Sequence, residues 1–324
     1  MPAMKILSPA KINLFLEVLR KRKDGYHEIE TLFERINLCD EIVLTSIPSG
    51  IEVELNFDPR LRGDDGRKLI STGPVNLAYR AAKILKDKFK IKKGIHIRIK
   101  KRIPVSAGLG GGSSNAAAVL LGLNRLWKLR LSKKKLLRLA AELGSDVPFF
   151  VLETPFALGT GRGEVLKRAG NGPATHASAG TRGRSLRKIW HVIVKPAFGI
   201  STKKAYQALA GNAHERSLRF LTGKATNVKM LFRSIQDNDS GALSRLLRNT
   251  LELALNKRVT SIFRIKDELK KQGALAALMS GSGSSVFGIF RTRERAQKAA
   301  SELKTNKKFQ VFVVSTFTQQ SDQD

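Results

Sequence analysis

Cysteine is nearly absent from this sequence: Cys39 stands alone among 324 residues. A single thiol can close no intrachain disulfide and cannot build a cysteine-rich zinc site, so a stapled secreted scaffold is excluded and a reducing compartment is the natural setting. Aromatic residues are few, at 6%, and they form no run of stacking rings of the kind that binds single-stranded nucleic acid. Acidic residues are also scarce, with 27 Asp and Glu against 59 Lys and Arg and a formal net charge of +32. Long hydrophobic runs are missing. The two longest uncharged stretches, which contain 106–124 and 273–290, are crowded with Gly and Ser, so neither reads as a membrane span. From Lys5 the chain enters an alternating pattern without a signal-peptide core. The expectation is a cytoplasmic protein with no membrane partner.

What is present points to a folded chain. Hydrophobic residues make up 42%, too many for a charge-driven disordered chain, and at roughly 100–200 residues per domain the length predicts two domains. The basic residues fall in short scattered runs, such as Lys21-Arg22-Lys23, Lys100-Lys101-Arg102 and Lys133-Lys134-Lys135. Scatter of this kind predicts a solvated basic surface and no specific nucleic-acid partner.

Ile12, Leu14, Leu16 and Val18 alternate with Lys11, Asn13, Phe15 and Glu17, the period of a half-buried strand that places Lys11 and Asn13 on one face. Asp24-Gly25 then signals a turn, strand character resumes over 29–44, and a long hairpin is expected with Tyr26 and His27 just past its tip. A helical stripe at Leu77, Ala81, Ile84 and Leu85 precedes a strand at Ile95, Ile97 and Ile99. Helices follow over 116–127 and from the N-cap Ser132 to the stop at Gly144. Residues 167–188 hold small, Gly and basic residues with almost no large apolar side chain, which predicts a mobile insert between domains at 1–166 and 189–324. Beyond it the pattern gives a strand at 189–194, several helices over 201–272, a strand–glycine loop–strand over 275–290, a helix at 293–303 and a strand at 309–317.

Three segments could carry chemistry. Pro104-Val105-Ser106-Ala107-Gly108-Leu109-Gly110-Gly111-Gly112-Ser113-Ser114-Asn115 lies between a strand and an Ala-rich helix. Its glycines let backbone N–H groups approach a ligand at a helix start, an arrangement suited to polyphosphate. It matches neither the Walker loop nor the dinucleotide fingerprint. Ser280-Gly281-Ser282-Gly283-Ser284-Ser285 is a second glycine loop that could share an anion site with the first. In Gly144-Ser145-Asp146-Val147-Pro148, Asp146 either caps a short helix or supplies the carboxylate that phosphoryl transfer requires, with Lys11 a candidate cation near the reacting oxygens.

These segments, in this order and with PAKINLFLEV at the start, resemble the GHMP kinase superfamily: PAKINL is similar to its N-terminal signature, PVSAGLGGGSSNAA to its phosphate loop and LMSGSGSSVFGIF to its third motif. Within it, DGYHEIETLFERINLCDEI and LGSDVPFF resemble the branch that acts on 4-diphosphocytidyl-2-C-methyl-D-erythritol in the non-mevalonate isoprenoid route. The resemblance implies an α+β fold of two domains, ribosomal-S5-domain-2-like and then ferredoxin-like. It further implies transfer from ATP, with Mg²⁺, to the 2-hydroxyl of that small molecule by a monomer or homodimer.

By the same resemblance, Asp146 and Lys11 are catalytic. Pro104, Ser106, Gly108, Leu109, Gly110, Gly111, Gly112, Ser113, Ser114 and Asn115 hold ATP, with Asn76 and Lys101 at its adenine. Asn13, Tyr26, His27, Tyr206, Gly281, Ser282 and Gly283 hold the acceptor, Tyr206 lying across the cytosine from Tyr26 and His27. No direct sequence motif marks a metal site. A homoserine or mevalonate-type kinase would share the phosphate loop but has no need of Gly25-Tyr26-His27, and a non-enzymatic RNA-binding protein on an S5-like fold would explain the charge but not the glycine loop together with Asp146.

Overall fold

The computed structural model describes residues 3–59, 61, 71–169, 188–211, 226–254 and 259–318. Strands β1 (Ala3–Lys21) and β2 (His27–Ile47) form the expected hairpin. At its tip the Arg22 guanidinium donates to the carboxylates of Asp24 and Glu28, at 3.1 and 2.8 Å. The alternation over 11–18 predicts one solvated face, but the structure buries both. Ile12 and Leu14 pack into a core shared with Ile193, Phe287 and Ile289 of the second half, while Lys11 and Asn13 are only 4% and 1% exposed on the other side.

Strand β2 is the hub of the first sheet, bonded to β1, to β4 (Gly94–Lys101) and to β5 (Phe156–Thr160). Two edge strands complete it: β3 (Ile51–Phe57), parallel to β4, and β6 (Val165–Arg168), antiparallel to β5. The sequence reading passed over β3, although Ile51, Val53 and Leu55 carry the alternation. It also passed over β5 and β6, which are too short to show one. Helices α1 (Leu77–Phe89), α2 (Gly111–Leu126), α3 (Lys133–Leu143) and α4 (Val147–Leu152) cover one face through Ile42, Leu44, Leu85, Ile97 and Leu120. Ser132 caps α3 as expected, accepting from the Lys135 N–H. Helix α2 begins five residues earlier than expected, inside the glycines themselves.

The predicted insert 167–188 begins within β6: Lys167 and Arg168 pair with Leu158 and Ala157. Residues 170–187 of it lie outside the described residues. A second, antiparallel sheet follows in the order β10-β7-β9-β8, built from β7 (Trp190–Pro196), β8 (Ala276–Met279), β9 (Val286–Phe290) and β10 (Phe309–Ser315). With it come helices α5 (Thr202–Gly211), α6 (Thr226–Asp237), α7 (Ser240–Leu246), α8 (Val259–Lys271) and α9 (Arg293–Leu303).

The two halves are locked together. Backbone bridges join Leu16 to Asn249 and Ile36 to Thr316. Between the sheets the fully buried Glu34 carboxylate accepts from the Thr316 hydroxyl at 2.7 Å and lies 3.1 Å from His191 Nε2.

Candidate active site

A cavity of about 1250 Å³ opens where the hairpin, the two glycine loops, the turn before α4 and helix α5 converge. Every residue named above as a site candidate lines it except Ser114. Ser114 is buried behind the wall, where Ser8 Oγ donates to Asn115 Oδ1 and can accept from the Ser114 hydroxyl 2.7 Å away, pinning α2 to β1.

At the centre, Lys11 Nζ donates to Asn13 Oδ1 at 2.6 Å and lies 3.6 Å from Asp146 Oδ2. Asn13 Nδ2 donates to Thr31 Oγ1 at 2.8 Å, and the Thr31 hydroxyl donates to the Phe15 carbonyl at 2.7 Å. This relay fixes the ammonium in a place where it is almost wholly removed from water. Asp146 occupies the N-cap position of α4 but makes no capping bond. Its φ and ψ, −83° and −17°, are helical, whereas a capping residue is extended. The bland reading of Asp146 as a cap is therefore not realised, and the carboxylate faces the cavity.

The first glycine loop is held on both sides. Leu109 O accepts from the Lys11 N–H at 3.0 Å, Gly108 O from Ser280 Oγ at 3.0 Å, and Ala107 O from the Ser285 N–H at 3.1 Å. The second loop is in turn held by Asn249, whose side-chain amide donates to the carbonyls of Met279 and Gly281. Gly110 precedes α2 at φ +69°, and a Cβ there would come within 3.0 Å of Lys11 Cγ and 3.1 Å of the Phe150 ring. Only glycine lets the loop pass this close to the lysine. Gly111, Gly112 and Ser113 open the helix, so their N–H groups have no carbonyl one turn earlier to accept them. These donors meet the positive end of the helix dipole, a site that favours phosphate.

Lys101 stands at the wall of this loop, buried and paired with the Asp40 carboxylate, whose other oxygen accepts from the N–H groups of Arg102 and Ile103. Asn76 is engaged in structure: it caps α1 by accepting from the Ala78 N–H and donates to Ser71 O. At the opposite end of the cavity His27, and not Tyr26, faces Tyr206, with ring centroids 5.4 Å apart and planes 30° from parallel. Tyr26 is instead covered by the Arg162 guanidinium at 4.9 Å. Arg162 is held by Glu164, which accepts from both its backbone N–H and its side chain. Burial and the Lys21 charge push His27 below the ordinary histidine range. Burial, with a smaller push from the Asp146 charge, raises the Tyr206 phenol, so it stays protonated.

Thr31, Asp40, Arg162 and Asn249 are the functional neighbours that sequence reasoning missed. Each acts through a partner 18 or more residues away, or through a turn, so no local spacing reveals it.

The two-domain α+β fold of this chain, with its anion-ready glycine loop beside a lysine and a carboxylate, is that of a GHMP kinase. Family models agree, the GHMP kinases N terminal domain matching residues 76–154 and the GHMP kinases C terminal matching residues 231–308. The 4-diphosphocytidyl-2-C-methyl-D-erythritol kinase of Geobacillus kaustophilus (strain HTA426) is 40% identical over 93% of each chain, and that of Bacillus subtilis (strain 168) is 41% identical over 91% of each. A crystal structure of 4-(cytidine 5'-diphospho)-2C-methyl-D-erythritol kinase superposes with a TM-score of 0.70 at 30% identity, covering 97% of this chain and 100% of that one. This chain belongs to the 4-diphosphocytidyl-2-C-methyl-D-erythritol kinase family.

Proposed function

We propose that this chain transfers the terminal phosphoryl group of ATP to the 2-hydroxyl of 4-diphosphocytidyl-2-C-methyl-D-erythritol, with Asp146 and Lys11 at the reacting centre. The observation that carries the assignment is the pair itself: a cavity-facing carboxylate 3.6 Å from a buried ammonium, with the N-terminus of α2 alongside. Phosphoryl transfer asks for position and charge stabilisation more than for covalent chemistry. Asp146 accepts the hydroxyl proton as the acceptor oxygen attacks. Lys11, anchored by Asn13 and Thr31, stabilises charge on the transferring group without having to reorganise. The first-turn N–H groups of α2 hold the triphosphate, with Lys101 and Asn76 at the adenine end.

Among the described residues no group of three or more His, Cys, Asp or Glu could hold a metal. Mg²⁺ would enter with the triphosphate, and the Ser113 hydroxyl at the start of α2 would offer it a protein-side oxygen. When bound, the ion neutralises phosphate charge. The second glycine loop, through Gly281, Ser282 and Gly283, closes the acceptor side. The cytosine lies against Tyr206 once His27 leaves its stack, and neutral His27, offering one donor and one acceptor, reads the edge of the base. The domains proposed are 1–166 and 189–324. No helix among the described residues is long and apolar enough to cross a membrane, and the lone cysteine suits the cytoplasm as the place of action.

The test is a panel of acceptors, the cytidylyl substrate against its uridine analogue, homoserine and mevalonate, with ATP and Mg²⁺ and ADP release as the signal. The cytidylyl compound alone should be phosphorylated at speed. Asp146→Asn should lower kcat by about 10²–10⁴-fold while ATP affinity is retained. Near-normal turnover in that variant would overturn the role of Asp146.

A further inference from the structure

The basic runs that look scattered in the sequence are gathered by the fold. Residues 83–93, at the end of α1 and beyond it, and residues 125–138, from the end of α2 into α3, hold thirteen Lys and Arg and one acid, Asp87. The Lys88–Glu142 ion pair at 2.6 Å brings α1 against α3. On α3, Arg138 lies one turn and Lys134 and Lys135 two turns back along the stripe that ends at Glu142. All three are exposed.

The acids nearby are already used. Asp87 pairs with Lys83, Glu142 with Lys88 and Glu153 with Lys133. None of the thirteen cations lines the catalytic cavity. Part of this charge suits the helix ends, as where Lys86 Nζ donates to the carbonyls of Lys92 and Lys93. The remainder far exceeds what capping requires.

We propose that this helical face docks the phosphodiester backbone of a nucleic-acid duplex without reading its sequence. Mobile lysine point charges over an extended surface suit repeated phosphates, and counterion release supplies the driving force. An anionic bilayer fits less well: the large exposed apolar side chains, Tyr26, Val75, Val165, Met230, Leu253 and Phe263, all lie outside these two segments, so the face has no anchor to insert. Single strands fit less well for a related reason, since no exposed aromatic ring here offers a base a stacking surface. Because the face is separate from the cavity, docking leaves the kinase site open.

The experiment measures binding of short labelled RNA and DNA duplexes by fluorescence anisotropy between about 50 and 200 mM salt. The full-length protein is compared with the triple variant Lys134→Glu/Lys135→Glu/Arg138→Glu and with a charge-matched control of exposed residues just before and along α9, Arg291→Glu/Arg295→Glu/Lys298→Glu. The face triple should lower low-salt affinity about tenfold or more and flatten the slope of log K against log salt by about 2, with kcat unchanged. The control should move the slope much less. Preference for one duplex identifies RNA or DNA as the source of the backbone. Equal loss in both triples would mean that diffuse net charge does the binding, and tighter binding to phosphatidylserine vesicles than to either duplex would make the partner a bilayer. Either result overturns the proposal. A Lys→Gln, Arg→Gln version of the face triple guards against a folding defect and should give roughly half the slope change.

Discussion

His27 stands at the cavity mouth with its ring stacked on that of Tyr206. The hairpin signal puts an aromatic and a histidine at the cavity mouth, but which of them meets Tyr206 depends on how α5 packs, and it is His27 that does. Its proton affinity lies below the ordinary 6.5 because burial and Lys21 oppose the charged form. Above that range His27 is neutral and keeps the acceptor nitrogen that a cytosine amino group needs. As pH falls through the lowered value the ring protonates, the acceptor is lost and binding weakens. KM for the cytidylyl substrate should therefore be flat from pH 8 down to the ordinary histidine range and climb below it, while KM for ATP does not follow. In His27→Asn the climb should vanish; a climb that persists would assign the titration to another group.

At the scale of elements, two loops and a turn set the geometry. Gly108 sits at φ +74°, and a Cβ there would fall 2.1 Å from the backbone carbonyl of Ser280. Gly108→Ala must therefore both strain the backbone and push the two glycine loops apart, a cost of about 2–5 kcal/mol. Equilibrium denaturation should show it as a lower midpoint at constant slope, with ATP affinity falling in the fraction that remains folded. The hairpin tip behaves differently, because it carries side chains and no core. Arg22 holds the tip through Asp24 and Glu28, so Arg22→Ala should raise KM for the cytidylyl substrate several-fold and leave kcat and stability near the parent. A change in kcat with KM intact would place Arg22 in the chemistry instead.

For the molecule as a whole, the question is what keeps two sheets in one orientation so that residues 11, 146 and 281 can meet. Beyond the shared apolar core, the polar lock is Glu34 between His191 and Thr316, with both Glu34 and His191 wholly buried. Glu34→Ala would leave the partners of that carboxylate unpaired away from water, at about 2–5 kcal/mol. Urea titration should show this loss, while Glu34→Gln, which keeps an acceptor, should lose less. Equal losses in the two variants would attribute the effect to packing alone.

Much of this is legible along the chain: the hairpin and its tip, the glycine loop opening a helix, the cap at Ser132, the helix at 293–303, and the presence of Lys11 and Asp146 in segments suited to phosphate chemistry. These are local signals, set by side-chain period, turn chemistry and the backbone freedom of glycine. Tertiary structure decided the rest. Only the fold shows that β1 is buried on both faces, that Thr31 steadies Lys11 through Asn13, that Asp40 holds Lys101 and that Asn249 braces the second loop. Only the fold turns scattered lysines into one face. The reason is common to all of these: each contact joins residues far apart along the chain, and one sequence read along its length carries no record of which distant segments will be neighbours.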